Sequence, residues 1–423
     1  MRIKIKNILY LLDCVFFLIS LLMMVYAPLQ YDEDIKKIIG VAIVGISIRL
    51  FFRNKQNKIF FIVFGIILYI NASLVASDCF FDGELALPES TISWQIYRGS
   101  EYEIIFLIGL NLFLNFLNII LCKPRYFVDK LRKKDNSLVF FCSYFFLIYI
   151  LFSGYSGKLG HSYISETSTL YEYGLAFFIL TWFYAGNSKN KSIALIIYGV
   201  LYILQALVYG DRSSAFPMVL LLYTLYAKRV SLKNVLVLSL IGIFSANIIA
   251  VYRESNSMFA FYDSYLSRYG LTSIVSDTVS QSYYTGISLM AVRDMLNDTS
   301  TMVVAFLLGM FYGGDYANAN VTEVGKLFAT NKGGGFIIAD FVFWFGYPGA
   351  MIIGIIIGVF MLFVSRNRFD IELPWKLYFS VTVFRWYLYT AFDLFRGVFF
   401  VFPVLYLTYF VCDKTTRYLI SKF

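Results

Sequence analysis

Histidine occurs once in 423 residues, as His161, and charged residues make up only 15% of the chain. A lone imidazole in a polar stretch argues against acyl transfer by histidine pairs and against metal sites built from imidazoles. The five cysteines (Cys14, Cys79, Cys122, Cys142, Cys412) fall singly, without a CxxC pair. Neither a disulfide framework nor a thiolate metal centre is indicated. Also missing are the paired halves of many secondary transporters and any heptad, collagen or low-complexity tract.

What is present is apolar. Hydrophobic residues make up 59% of the sequence and the mean hydropathy is +0.69, so the bilayer is the expected solvent. Apolar runs near 8–27, 35–52, 59–77, 102–122, 137–153, 170–186, 192–209, 214–227, 235–252, 337–364, 376–392 and 397–412 are each read as a helical span. The fold class predicted is an all-α polytopic membrane protein of about 12 spans, with 1–423 as a single integral membrane domain. The segment 302–312 is apolar but too short to cross and is assigned to a re-entrant or interfacial piece of a long extracytoplasmic loop, 253–339. The first run leads to Tyr26-Ala27-Pro28-Leu29 without a small-x-small cleavage pattern, so it is expected to be retained.

With both termini placed in the cytoplasm, the inner loops (RNKQNK, KPRYFVDKLRKK, NSKNK, KRVSLK, SRNRFDIELPWK) hold most of the lysine and arginine, and the outer ones most of the acid. The net charge of +9 is therefore a topology signal with some affinity for anionic lipid, and no nucleic-acid partner is expected. The 34 tyrosines and 44 phenylalanines first suit membrane cores and headgroup-level belts, and some suit stacking on sugar rings.

The informative arginines are those on the outer side or inside spans. A guanidinium keeps its charge, is costly at membrane depth and presents a planar fork to phosphate oxygens. In Gly210-Asp211-Arg212-Ser213-Ser214, a charged pair sits in a tight outer turn where topology requires none. Asp211 either pairs with Arg212 or caps the next helix, and that turn also offers amides to an anion. Arg253-Glu254 closes the ninth span, Arg396 sits in the last outer turn, and Arg385 lies within a span, where Asp393 is a possible ion-pair partner. In the long loop Arg268 has aromatic neighbours, while Arg293 has Asp294 beside it. Among the outer acids Asp340 stands out: it follows Gly333-Gly334-Gly335 at the start of an apolar helix, beside a lid-like hinge and suited to a dry pocket.

Two segments together resemble the Wzy-type O-antigen and capsular polysaccharide repeat-unit polymerases. Gly210-Asp211-Arg212-Ser213-Ser214-Ala215-Phe216 looks like the family's glycine-x-arginine-small turn. The run from Gly333 through Asp340 and Phe345-Gly346 to Gly349 looks like its glycine-rich start, acid and phenylalanine-glycine pattern, with Asp340 where many members have glutamate. The resemblance implies a GT-C-like glycosyltransferase architecture in a bacterial inner membrane. The implied substrate is an undecaprenyl-pyrophosphate-linked oligosaccharide, worked on at the outer face without nucleotide sugar, metal or other cofactor. A chain-length regulator protein and membrane lipids are the implied partners. On this reading Arg212, Arg253, Arg268, Arg396 and Arg385 bind pyrophosphate, and Asp340, Glu254 or Asp211 serves as base. The rivals are a lipid-linked oligosaccharide flippase, expected to show paired halves, and an O-antigen ligase, expected to carry a histidine in the long loop, which here has none.

Overall fold

The computed structural model describes residues 2–25, 31–55, 57–87, 95–121, 133–156, 166–209, 211–227, 275–296, 300–313, 319–325, 334–366 and 369–422, plus single positions at 237, 242, 244, 245, 248 and 316. In chain order the helices are α1 (Arg2–Val25), α2 (Glu33–Asn54), α3 (Lys58–Leu74), α4 (Glu101–Ile120), α5 (Ser137–Phe152), α6 (Thr169–Glu172), α7 (Gly174–Tyr184), α8 (Lys189–Val208) and α9 (Arg212–Tyr226). They continue as α10 (Asp277–Met295), α11 (Ser300–Tyr312), α12 (Val321–Gly325), α13 (Phe336–Phe345), α14 (Tyr347–Val364), α15 (Glu372–Val381), α16 (Val383–Leu388) and α17 (Phe402–Ile420). Two π-helical stretches, Val75–Cys79 and Asp393–Val401, extend α3 and precede α17. Apart from a two-residue antiparallel ladder, Tyr155–Ser156 against Glu166–Thr167, and one bridge between Asp135 and Ala185, the regular structure among the described residues is helical.

Helix starts follow local chemistry. The side chains of Asp32, Asn57, Asn136 and Ser188 accept from first-turn amides of α2, α3, α5 and α8, each cap contributing about 1 kcal/mol. Among the described residues, five helical segments are long and apolar enough to cross a membrane: Ile59–Cys79, Glu101–Ile120, Lys189–Val208, Tyr347–Val364 and Asp393–Ile420. Shorter apolar helices include Leu11–Val25, Ser137–Phe152 and Gly174–Tyr184. These features are those of a helical membrane protein.

The chain divides into two compact units. Unit 1 comprises 1–126, 268–366 and 383–395. Its tightest pairing is α4 with α14. A Cβ at Gly354 would stand 2.8 Å from the Phe113 carbonyl oxygen and one at Gly358 2.8 Å from the Ile120 side chain. This G-x-x-x-G face lets two helices approach closely where no hydrophobic force separates protein from lipid. A polar chain crosses the same core: the Tyr387 hydroxyl donates to Asn71 Oδ1 at 2.7 Å, and Asn71 Nδ2 donates to Ser47 Oγ at 2.9 Å.

Two expectations change in unit 1. The stretch 253–339, read as a long loop, contains the 19-residue helix α10, in which every residue from Ser282 to Val292 is buried. Its serines, threonine, glycine and tyrosines face protein rather than lipid, so hydropathy does not reveal it. The stretch 337–364, read as one span, is two helices broken at Gly346, whose φ of 67° and ψ of −155° suit glycine. A Cβ at Gly349 would fall 1.9 Å from the Phe341 carbonyl oxygen, so the chain turns back sharply there. Helix α11, at 13 residues, is about 20 Å long, too short to cross.

Unit 2 comprises 127–267, 367–382 and 396–423. Phe146 of α5 meets Phe177 of α7 edge to face at 4.9 Å. Tyr171 and Tyr202 stack at 4.4 Å, and each hydroxyl donates to the other residue's carbonyl, at 3.2 and 3.1 Å. Glu372, Lys376 and Ser380 form a buried polar row at intervals of one helical turn along α15. The sequence reading put Glu372 in a cytoplasmic loop and Lys376 at a span's edge; both are interior to unit 2, and Trp375 Nε1 ties the helix to the Val398 carbonyl at 2.7 Å.

Candidate functional site

Asp340 is the fifth residue of α13 and is 1% exposed. Its Oδ2 accepts two hydrogen bonds, from the Thr390 hydroxyl and the Ala391 amide, each at 2.7 Å. Those donors exist because the helix breaks at Tyr389 and Thr390 and restarts at Ala391, leaving a first-turn amide and a hydroxyl to point at the carboxylate. Thr390 Oγ1 in turn accepts from the Phe392 amide at 3.2 Å. Oδ1 of Asp340 is buried and has no hydrogen-bond partner among the described residues. Leaving a buried carboxylate oxygen unmatched is costly and uncommon in native structures.

Of the three glycines before α13, Gly334 and Gly335 are closely packed, and Gly333 lies outside the described residues. The Gly335 amide donates to the Tyr389 carbonyl at 2.7 Å, and a Cβ at Gly334 would overlap the Tyr389 Cα at 2.0 Å. Phe336 carries a φ of 63°, a strained value for an aromatic residue. Glycine thus lets the start of α13 lie against the same break that supplies Thr390 and Ala391. Next along α13 an aromatic cluster packs: Phe306 of α11 meets Trp344 at 4.5 Å and Phe395 at 5.5 Å, and Phe341 meets Phe395 at 5.7 Å.

The other expected site residues fall as follows. Asp211 caps α9: its Oδ1 accepts from the Ser214 amide at 3.1 Å and the Ser213 hydroxyl at 2.7 Å. Arg212 opens that helix and is half-buried, as are Arg396 in the second π-helical stretch and Arg385 in α16. Asp340 and Arg385 belong to unit 1, and Asp211, Arg212 and Arg396 to unit 2. Arg253, Glu254, Arg268 and His161 lie outside the described residues. Arg293 of α10 reaches the turn of unit 1 that follows α13, its guanidinium nitrogen 3.3 Å from where a Gly346 Cβ would stand.

A buried charged cluster in unit 1 was not anticipated. The Lys36 ammonium bridges Asp82 and Glu103, 3.2 Å from the latter, with the Lys36 and Glu103 side chains each 1% exposed. Tyr283 of α10 donates to Glu103 at 3.4 Å. Beside them Asp78, in the first π-helical stretch, is fully buried, accepts from the Ser280 hydroxyl at 2.8 Å and has Oδ1 unmatched among the described residues. The signal available was a lysine and several acids at span ends, which reads as solvated until α10 is known to cover them. Among the described residues no group of three or more His, Cys, Asp or Glu is arranged to hold a metal ion. Comparison with protein-family models, with curated proteins and with solved structures found no match to the chain.

Proposed function

We propose that the chain is a Wzy-type polymerase. It joins undecaprenyl-pyrophosphate-linked oligosaccharide repeat units into O-antigen or capsular polysaccharide, using a twelve-span, GT-C-like fold at the outer face of a bacterial inner membrane. The observation that carries this reading is the Asp340 carboxylate: buried, fixed through Oδ2 and unmatched at Oδ1. A carboxylate so held suits removal of a proton from a sugar hydroxyl.

In the reaction, the acceptor hydroxyl gives its proton to Asp340 Oδ1 as its oxygen bonds to the anomeric carbon of the growing chain. The bond from that carbon to the pyrophosphate breaks, and undecaprenyl pyrophosphate leaves with the electron pair. The family resemblance offers Arg212, Arg253, Arg268 and Arg396, with Arg385 as a further candidate, as the groups to neutralise the developing charge, each well-placed donor being worth about 3 kcal/mol. Glu254 is the alternative base. Asp211, whose Oδ1 caps α9, is a further candidate base. A chain-length regulator protein is the proposed partner.

One feature favours a second reading, a flippase: the buried Lys36–Glu103 pair is the kind of interior charge that transport pathways use. The glycan profile of a deletion strain decides between them. Loss of a polymerase leaves single capped repeat units, whereas loss of a flippase leaves none. Complementation with Arg212→Ala or Asp340→Asn is expected to leave inserted protein and single units only. Wild-type chain length from both variants would sink the polymerase site.

A further inference from the structure

At one end of unit 2, the segment 133–136 runs along the carboxyl end of α7. The Lys134 amide donates to the Phe183 carbonyl at 2.9 Å, the Asn136 amide to Tyr184 at 3.3 Å, and the Gly186 amide to the Lys134 carbonyl at 3.0 Å. This register holds the Lys133 ammonium over the Trp182 ring, 4.6 Å from its centroid. Beside it opens a cleft of about 510 Å³, lined by Lys133, Trp182, Lys189, Ser192, Ile193 and Ile196 among others.

The lysines at this end differ in their partners. Lys134 pairs with Asp370 at 2.9 Å and Lys191 with Asp135 at 2.8 Å, and neither lines the cleft. Lys133 and Lys189 do line it, and among the described residues no carboxylate lies within ion-pair distance of either. Burial pushes the Lys133 ammonium below its ordinary value, so a bound anion recovers energy that the protein itself does not supply. The first turn of the 20-residue helix α8, capped by Ser188, adds its positive end to the same cleft.

The other wall is hydrocarbon. Ile193 and Ile196 continue from the cleft along α8, whose apolar face stays uncovered: Ile193 and Ile197 are 54% and 53% exposed. A cationic pocket opening onto a lipid-facing helix matches a molecule with an anionic head and acyl chains; a soluble anion would use only half of it. Lys133 and Lys189 also belong to the basic loops expected on the cytoplasmic side, where anionic lipids gather.

We infer that this cleft holds the headgroup of an anionic phospholipid, with Lys133 and Lys189 on the phosphate and the acyl chains lying along α8. Basic pockets between helices on the cytoplasmic side are where such headgroups bind.

The test is native mass spectrometry of the full-length protein titrated with phosphatidylglycerol or phosphatidylcholine. In the Lys133→Gln, Lys189→Gln protein, phosphatidylglycerol affinity should fall about fivefold per lysine and about thirtyfold in all, with phosphatidylcholine unchanged. A Lys134→Gln, Lys191→Gln protein loses equal charge outside the cleft and should bind phosphatidylglycerol almost as wild type does. The Lys133→Arg, Lys189→Arg protein should keep the lipid, which separates a lost site from a lost fold. Equal loss in both glutamine proteins, no loss in either, or displacement of the lipid by inorganic phosphate overturns the inference.

Discussion

Asp13 and Asp340 are both carboxylates sunk in unit 1, 3% and 1% exposed, and they are held in opposite ways. Asp13 is answered on both oxygens. Asn118 and Arg49 donate to Oδ1 at 2.9 and 3.2 Å, and Arg53 and Arg49 donate to Oδ2. Arg53 also grips the Asn118 carbonyl at 2.8 Å, so α1, α2 and α4 are stapled together. Among the described residues Asp340 is answered on one oxygen only, and by neutral donors. The contrast teaches that a saturated buried carboxylate belongs to the scaffold, while a half-saturated one keeps valence for something else.

The strongest way to sharpen the comparison is to break the staple. Arg53→Ala strips Asp13 of a guanidinium and is expected to destabilise the protein by about 3–5 kcal/mol, read as a lowered melting temperature in detergent. On the proposed function, Asp340→Asn should do the reverse, keeping the melting temperature while lowering polymer formation by about 10²–10⁴-fold, the range of a positioned base. If Asp340→Asn unfolds the protein instead, the two carboxylates are alike and the distinction fails.

A smaller effect is expected at the residue behind the carboxylate. Thr390→Val keeps the shape and removes the hydroxyl, and polymer formation should drop about tenfold through the turnover rate, for a lost hydrogen bond to a charged group of about 1.5 kcal/mol. Thr390→Ser should restore it. The smallest change is Ser280→Ala, which removes the hydroxyl that donates to Asp78 Oδ2 and should cost about 1 kcal/mol of stability. Asp78 is half-saturated like Asp340 among the described residues, so loss of chain polymerisation in that variant would place the two carboxylates together, and unchanged polymerisation would break the distinction.

The amino-terminal helices were legible because each is an apolar run flanked by polar caps: the expected 35–52 and 102–122 emerge as Glu33–Asn54 and Glu101–Ile120. Helix α10 was not. A helix enclosed by other helices has no need of leucine and isoleucine, and its small and hydroxylated residues read as a loop. Asp340 was legible as one acid in an apolar stretch. Its partners were not, since Thr390 lies 50 residues away and owes its position to a break between helices. The buried Lys36 and Lys376 were hidden by the rule that places lysine in solvent near span ends, which fails when another helix closes over the end.

The Phe392 amide that donates to Thr390 Oγ1 gives the carboxylate a front and a back. With a lone pair of that hydroxyl engaged, its hydrogen is aimed at Asp340 Oδ2, which also receives the Ala391 amide. Two hydrogens then crowd the rear oxygen and leave no room for a third. On the proposed function, the proton that Asp340 takes arrives on Oδ1, which gives the acceptor hydroxyl a single direction of approach.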